Sequence, residues 1–282
     1  MKKPLVSVII PTFNRANVVG RAVTSVLKQD FKDLECIVVD DGSTDETDSV
    51  LHEFSGRIKV IKTENRGVSA SRNTGAEFAE GSFLAFLDSD DEWKKEKLSR
   101  QLQYMDEGGF KISQTDEIWV RNGKFVNKSN KYIRHGGNIF YRCLEVCAVT
   151  PSSVVMEKEL FFDYGGFNES LPVCEDYDLW LRMSLKERFG LLDEPLIIKY
   201  GGAEDQLSNS ACLDKYRIIS LSDILQSGCP LSGEQTAALC EVLAKKVRIY
   251  AEGAEKRGKY DEAAWAEEIK NKAFSKYLCP EI

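Results

Sequence analysis

The chain has 282 residues, of which 45 are acidic and 38 basic, so its formal net charge is −7. A chain of this length can bury a large core, as one α/β domain or as one domain with a helical appendage. The acidic balance argues against a nucleic acid polymer as a partner, and the 8 cysteines, without a C-x-x-C pair, are interpreted as reduced, packed thiols.

The first apolar run begins at Leu5, spans about six residues and ends at Pro11, which predicts a strand rather than a signal peptide. No stretch approaches the roughly 20 apolar residues of a membrane span. We therefore expect a cytoplasmic protein with at most peripheral contact at the inner face of a membrane.

Strand and helix patterns alternate along the first hundred residues. A continuous apolar run, typical of a parallel strand buried on both faces, occupies 5–10, and further strands are predicted at 34–39, 58–61 and 83–87. Apolar residues at helical spacing predict helices between them, at 18–27, from 44 onward and at 68–79. This order predicts an open, mainly parallel sheet that binds its ligand outside the carboxyl ends of its strands.

Polar residues follow three of these strands: Thr12 with Asn14, Asp40 with Asp41, and Asp88 with Asp90. Residues i and i+2 of a strand point the same way, so Asp88 and Asp90 can reach one cation. Hard cations such as Mg²⁺ and Mn²⁺ prefer oxygen ligands, and a substrate diphosphate can complete the shell. Taken alone, the D-x-D pattern is more typical of a polar turn.

Two other residues suit a nucleotide. Asp41 can accept hydrogen bonds from a base or a ribose, and Arg72 can meet a phosphate bidentately. The segment 40–43 is equally typical of a tight turn with a helix cap. The sequence has no Walker A motif, and no G-x-G-x-x-G follows its first strand, so P-loop and dinucleotide-binding interpretations lose their main support.

Six segments in order resemble the family 2 glycosyltransferases; they are 6–14, 38–45, 65–73, 86–93, 165–169 and 175–182. The resemblance covers about residues 4–205. It implies the GT-A fold, a Rossmann-like mixed sheet flanked by helices. It also implies inverting transfer of a sugar from a nucleoside-diphosphate sugar, expected to be UDP-linked, to a hydroxyl of a cell-surface glycan or lipid-linked acceptor.

The resemblance further implies roles by position. It assigns nucleotide binding to Pro11, Thr12, Asn14, Asp41, Arg72, Asn73, Asp88 and Ser89. Asp90, with Asp88, would hold Mn²⁺ or Mg²⁺. Asp176 would take the proton of the acceptor hydroxyl, beside Glu175, because neighbouring carboxylates can raise a pKa toward the working pH. Adjacent acids at a helix start are also ordinary caps.

Two departures from the family pattern limit this interpretation. The Gln-x-x-Arg-Trp motif of processive members is missing, so a single, non-processive transfer is expected. Ala203 stands where many relatives supply a metal-binding histidine. Glu204, Asp205 or water could replace that ligand, or metal binding and turnover could be lower, and the sequence leaves these possibilities open.

Residues 1–210 are expected to form the catalytic domain, with a nucleotide-binding half at 1–105 and an acceptor half at 106–210. Irregular strands and an acceptor-shaping loop are expected at 106–150. Helical spacing of apolar residues predicts a helical C-terminal subdomain at 211–282. Its cations are interpreted as a solvated helix face; approach to an anionic membrane and homodimer formation stay open.

Two other functions remain as alternatives. A D-x-D pattern after an apolar strand also resembles haloacid-dehalogenase-like phosphohydrolases, but Glu92 stands where that family has Thr or Val. A non-catalytic nucleotide-sugar-binding protein would be consistent with Ala203. An EF-hand is excluded because Trp93 occupies the position where that loop needs glycine.

Overall fold

A computed structural model of the chain describes residues 3–201 and 213–275. The elements in the first part are β1 (Val6–Thr12), α1 (Val19–Leu27), β2 (Leu34–Asp40), α2 (Thr47–His52), β3 (Lys59–Lys62), α3 (Val68–Glu77), β4 (Phe83–Phe86), β5 (Glu92–Trp93), α4 (Lys97–Gly108), β6 (Ile112–Arg121), β7 (Lys124–Val126), α5 (Phe140–Glu145), β8 (Val155–Glu157), α6 (Lys158–Asp163), α7 (Glu175–Ser184) and β9 (Gly190–Gly201). The second part contains α8 (Leu213–Gln226), α9 (Gly233–Glu255) and α10 (Tyr260–Ser275).

Nine strands of the described chain form one mixed sheet in the order β3-β2-β1-β4-β8-β6-β9-β5, with β7 paired to β6. Strands β1 to β4 are parallel, as their apolar runs predict. Because β8 is antiparallel to both β4 and β6, and β9 is parallel to β6, six strands end at the same edge. This edge is called the carboxyl edge below.

Alternate residues of the central strands enter two hydrophobic cores, one on each face of the sheet. Ile9 packs on the side of α3 and α7, whereas Val8 and Ile10 pack on the side of α1 and α4. The strand β1 continues through Pro11 to Thr12, so the predicted break at Pro11 is wrong. Proline is tolerated because β4 pairs with β1 only as far as Ile9, which leaves one side of β1 without a partner strand.

The segment 106–150 is more regular than expected, because β6 is a strand of ten residues paired to β9 along its length. In the C-terminal helices, Leu221, Leu239 and Leu243 share one core with Tyr177 and Trp180 of α7. The helical character expected after residue 211 is therefore confirmed for 213–275. Within the described ranges, no helix is long and apolar enough to cross a membrane.

Candidate active site

The ends of β1 and β2 lie side by side at the carboxyl edge, where open α/β sheets place their ligand crevice. The Asn14 backbone, at φ 51°, lies in the left-handed region, and its Oδ1 accepts hydrogen bonds from the backbone N–H of Thr44 at 2.8 Å and of Asp45 at 3.3 Å. Asp41 is buried and accepts from the backbone N–H of Arg66 at 3.0 Å and of Gly67 at 2.7 Å. Both predicted nucleotide-binding side chains therefore hold the loops that border the crevice.

Pro11 and Thr12 are buried at the same edge. The Thr12 hydroxyl is enclosed and finds no hydrogen-bond partner within the described chain. Since buried polar groups are almost always paired, this hydroxyl is suited to a ligand that enters the crevice.

Arg72 joins the two halves of the candidate site. Its Nη2 donates to Asp88 Oδ1 at 2.7 Å and its Nη1 to Glu175 Oε1 at 2.6 Å, while the side chain is only 4% exposed. The sequence placed Arg72 beside a diphosphate; the structure shows a buried cation shared by the end of β4 and the start of α7.

Asn73, also predicted to lie near the diphosphate, contacts the loop that carries Phe167. Its Nδ2 donates to the Phe167 carbonyl at 2.9 Å, and its Oδ1 accepts from the Phe167 N–H at 2.9 Å. Nδ2 also donates to Glu169 at 2.9 Å. A side chain at Gly166, where φ is 68°, would put its Cβ 2.8 Å from Asn73 Oδ1, so glycine permits this close approach.

Residues 88–91, which follow β4 after Leu87, alternate in exposure: Asp88 and Asp90 are half-buried, whereas Ser89 and Asp91 are buried. Ser152 holds the turn together, because its Oγ accepts from the Asp88 N–H at 3.1 Å and donates to Asp91 Oδ2 at 2.7 Å. Burial raises the pKa of the Asp91 carboxyl well above its ordinary value, against the attraction of Lys199.

These oxygens suit a hard cation only in part. In residues 3–201 and 213–275, no group of three or more His, Cys, Asp or Glu side chains is arranged to hold a metal ion. Asp88 and Asp90 nevertheless offer half-buried carboxylates at the carboxyl edge. One or two carboxylates with substrate phosphates are a common set for Mg²⁺, so the residues fit a cation that arrives with a diphosphate. Ala203, Glu204 and Asp205 lie outside the described residues.

Glu175 and Asp176 open α7 and differ in environment. Glu175 is buried against Arg72; burial and the charge of Asp176 raise its pKa to about 7, with Arg72 opposing. Asp176 is half-buried, and its Oδ1 accepts from the Tyr177 N–H at 2.7 Å. The thiol of Cys147 donates to Asp176 Oδ2 at 3.1 Å. Of the two acids, Asp176 is the more exposed.

Sequence reasoning did not find a buried charged group behind the D-x-D turn. Glu117 of β6 pairs with Arg134 at 2.8 Å, and Lys199 of β9 lies close enough to Asp91 and Glu117 for both to raise its pKa. The available signal was a charged residue directly after an apolar run, as at Lys199 after residues 196–198, because a charge that leaves water needs a partner.

A family model described as "Glycosyl transferase family 2" matches residues 7–164. The chain belongs to this family. The expected family membership is thereby confirmed, and the matched segment contains nearly all of β1 and the strands that follow it as far as β8.

Relatives of this family 2 chain come from several bacteria. An uncharacterized glycosyltransferase of Rickettsia conorii is 35% identical over 194 residues, 68% of this chain and 32% of the relative. The Escherichia coli UDP-Glc:alpha-D-GlcNAc-diphosphoundecaprenol beta-1,3-glucosyltransferase WfgD is 33% identical, over 63% of this chain and 68% of its own. The putative teichuronic acid biosynthesis glycosyltransferase TuaG of Bacillus subtilis is 45% identical, over 45% and 52%. The chain spans 28–32% of the length of three Rickettsia relatives.

Solved structures show the same fold. Staphylococcus aureus TarS in complex with UDP-GlcNAc superposes with a TM-score of 0.68 at 20% identity and covers 96% of this chain and 92% of its own. The Pyrobaculum calidifontis mannosyltransferase PcManGT, in complex with GDP-Man and Mn²⁺, gives 0.60 at 16% identity, with 100% and 89% covered. The predicted GT-A fold with a helical C-terminal region is confirmed, and the comparisons support neither a phosphohydrolase nor a non-catalytic protein.

Proposed function

We propose that this protein is an inverting, metal-dependent and non-processive glycosyltransferase that moves a sugar from a nucleoside-diphosphate sugar to a hydroxyl acceptor. The observation that carries the proposal is the Arg72 bridge, which ties Asp88 at the end of β4 to Glu175 at the start of α7. Arg72 thereby fixes the positions of two residues. One is Asp88, which is suited to the donor diphosphate, and the other is Glu175, which directly precedes the candidate base Asp176.

A uridine-linked donor and a lipid-linked or polysaccharide acceptor are the chemistry we favour. The names of WfgD and of the TarS complex include UDP-sugars, and WfgD is named for a diphosphoundecaprenol acceptor. TuaG is named for teichuronic acid biosynthesis. These names support work in cell-surface polysaccharide or glycolipid synthesis. The place we propose for it is the inner face of the membrane.

In the proposed reaction, Asp176 accepts the proton of the acceptor hydroxyl as that oxygen attacks the anomeric carbon. The new carbon–oxygen bond forms on the face opposite the diphosphate, whose bond to the sugar breaks, so the configuration inverts. The nucleoside diphosphate leaves with the bonding electrons, and the proton stays on Asp176. A bound Mn²⁺ or Mg²⁺ would act as a Lewis acid toward the leaving diphosphate.

The remaining residues have supporting roles in this proposal. Asp88 and Asp90 would hold the cation, with Ser89 between them beside the nucleotide. Pro11 and Thr12 would face the base and ribose, while Asn14 and Asp41 shape the loops around them. Arg72 and Asn73 would act through the carboxylates and the loop that they bind. Residues 1–210 would form the catalytic domain and 211–282 a helical subdomain.

The test combines binding with transfer. Calorimetric titration with UDP, GDP, CDP and ADP, each with Mn²⁺ and with EDTA, identifies the base and the metal requirement. Transfer is then followed as release of the nucleoside diphosphate from the matching sugar donor, with a GlcNAc-diphosphate-lipid as acceptor. We expect metal-dependent binding of one nucleotide and metal-dependent turnover.

The decisive variant is Asp176→Asn, which should bind the nucleotide like the wild type but lose about 10²–10⁴-fold in transfer rate. Asp193→Asn, at an exposed position of β9, is the matched control and should keep full activity. A wild-type rate of transfer by Asp176→Asn would contradict the assignment of Asp176 as the base. If the wild-type protein bound a nucleotide but transferred no sugar, the proposal that it is an enzyme would be wrong.

A further inference from the structure

The β6–β7 hairpin and the segment after it are basic, although the chain as a whole is acidic. Residues 118–144 contain no Asp or Glu, while the net charge of the chain is −7. The basic residues of this segment are Arg121, Lys124, Lys128, Lys131, Arg134 and Arg142. A charge separation of this kind predicts an anionic partner for the surface that it forms.

The tip of the hairpin also exposes apolar side chains. Phe125 is 79% exposed, more than any other large hydrophobic residue of the described chain, and its neighbour Val126 is 40% exposed. Ile133, in the segment that follows, is 51% exposed. Exposed apolar residues that lie together and are flanked by cations mark an interaction site rather than the ordinary scatter of surface hydrophobics.

Not all the cations are available to a partner. Lys128 pairs with Asp116, and Arg134 pairs with the buried Glu117, so both are neutralised from within. Arg121 and Lys124, on either side of the turn, are exposed, and neither forms an ion pair with the part of the chain that the structure describes; the Arg121 guanidinium lies 5.9 Å from the centroid of the Trp119 ring. The tip therefore presents two cations beside Phe125.

The hairpin lies at the carboxyl edge, next to the candidate active site. Val120, near the end of β6, is paired with Tyr200 of β9, and the Tyr200 N–H lies 3.4 Å from Asp91 Oδ1. The turn that follows Arg121 therefore projects from the edge at which Asp88 and Asp90 lie. A surface bound by the hairpin would therefore lie at the same edge as the candidate active site.

We propose that the β6–β7 hairpin docks the protein on an anionic lipid surface, with Phe125 and Val126 in the headgroup region and Arg121 and Lys124 at lipid phosphates. Interfacial segments combine an apolar tip with flanking Lys and Arg in this way. A three-residue strand is too small for a protein interface, which takes about 800 Å² from each partner.

Vesicle sedimentation of the full chain tests this inference without any enzymatic activity. We expect binding to vesicles of phosphatidylcholine with phosphatidylglycerol, no binding to phosphatidylcholine alone, and loss of binding as salt rises. Lys124→Gln should weaken binding about fivefold. Phe125→Ser should weaken binding by roughly tenfold, because the variant no longer transfers an aromatic side chain from water into the lipid headgroup region.

Two matched controls sit elsewhere on the surface. Tyr260→Ser removes a 69% exposed aromatic from α10, and Lys95→Gln removes an exposed cation from the loop before α4. Both should bind vesicles like the wild type, and all four variants should unfold at the wild-type temperature. Equal binding to neutral and anionic vesicles, or equal losses in the control and hairpin variants, would overturn the inference.

A second, independent observation concerns the candidate base. The single S–H of Cys147 has two acceptors, Asp176 Oδ2 at 3.1 Å and the Val149 carbonyl at 3.3 Å. Burial raises the pKa of this thiol well above its ordinary value, and the negative charge of Asp176 adds to that, so the sulfur keeps its proton. Because the Tyr177 N–H donates to Asp176 Oδ1, both oxygens of the Asp176 carboxylate accept a hydrogen bond from the protein.

We also infer that Cys147 is a positioning residue, whose S–H fixes the plane of the Asp176 carboxylate; this rests on the proposed function. A donor to the ionised carboxylate favours that form, so Cys147→Ala should move the acidic limb of the kcat–pH profile to higher pH. It should lower kcat about tenfold with the donor KM unchanged. Cys147→Ser keeps a donor and should restore the wild-type profile.

The positioning role of Cys147 and the proposed glycosyltransferase function would be contradicted by different results. An unchanged pH profile and kcat in Cys147→Ala, while Asp176→Asn is inactive, would overturn the positioning role alone. Wild-type transfer by Asp176→Asn would overturn the proposed function, and the role of Cys147 with it. Cys240→Ala, at a half-buried thiol of α9, is the control for cysteine removal and should leave the profile unchanged.

Discussion

Replacing Arg72 with methionine removes the cation shared by Asp88 and Glu175 while keeping an unbranched side chain of comparable length. Arg72 could act as a direct ligand of the donor phosphates or as a buried bridge between the two carboxylates. These roles predict different losses. If Arg72 binds the donor phosphates directly, its replacement should lower the affinity for nucleotide and change stability little. If Arg72 bridges the two carboxylates, its replacement should lower stability even in the absence of nucleotide.

The magnitude follows from the burial of the three groups. The side chains of Arg72 and Glu175 are 4% and 7% exposed, and that of Asp88 is 25% exposed. Breaking a buried ion pair by removing one partner costs about 3–5 kcal/mol, because the other charge stays buried. Glu175 can limit the cost, since its pKa is already about 7 and a proton can neutralise it. We therefore expect a loss of about 3 kcal/mol, at the lower end of that range.

Urea unfolding of the nucleotide-free protein at pH 7.5 measures this loss. The double variant with Glu175→Gln should recover part of it, with a coupling energy of about 1–3 kcal/mol. Arg66→Met is the matched control, because Arg66 is exposed and, within the described residues, its guanidinium forms one hydrogen bond, to Thr74, so it should change stability by less than about 0.5 kcal/mol. A loss in Arg72→Met no greater than in Arg66→Met, together with weaker nucleotide binding, would refute the bridge.

Three further predictions concern stability. The pKa of Glu175 is about 7 in the folded state, against an ordinary value of 4.5, so between these two pH values the folded state binds more protons than the unfolded state. The free energy of unfolding should therefore fall by about 3 kcal/mol as the pH rises from the lower value to the higher. Unfolding curves at pH 5 and 7.5 should show this difference for the wild type but not for Glu175→Gln. Gly81→Ala should cost about 1–3 kcal/mol, because the new Cβ would lie 2.7 Å from the Ser7 backbone N, whereas Gly233→Ala meets nothing within 4 Å and should show no such loss in the urea midpoint. Ser232→Ala breaks the capping box of α9 and should cost about 1 kcal/mol; an unchanged midpoint would contradict the cap.

The parallel strands were predictable because their environment is uniform. Strands covered on both faces need apolar residues at every position, and β1 is buried at all seven. By contrast, β6 lies in the stretch 106–150, where irregular strands were expected because that stretch is rich in Gly, Asn and Lys. Glu117 is tolerated inside a strand because Arg134, 17 residues later, neutralises it, and no local pattern reports such a partner.

The same distinction separates the parts of the candidate site. The D-x-D turn and the Glu175–Asp176 pair are local patterns, and both were found from the sequence and its family resemblance. The partners of Arg72 lie 16 and 103 residues away in the chain. The thiol beside Asp176 is 29 residues away. A sequence pattern lists side chains that can form such bonds, but it does not bring them together.

By itself, the sequence determined where apolar runs end in polar residues, and hence the parallel sheet, its carboxyl edge and the family. Burial leaves a periodic trace along the chain, and that trace can be read locally. Only the tertiary structure decided that Arg72 bonds two carboxylates, that Asp41 and Asn14 hold loops, and that Asp176 is more exposed than Glu175. Those outcomes depend on which polar groups lose water together, and that is settled by the packing of distant segments.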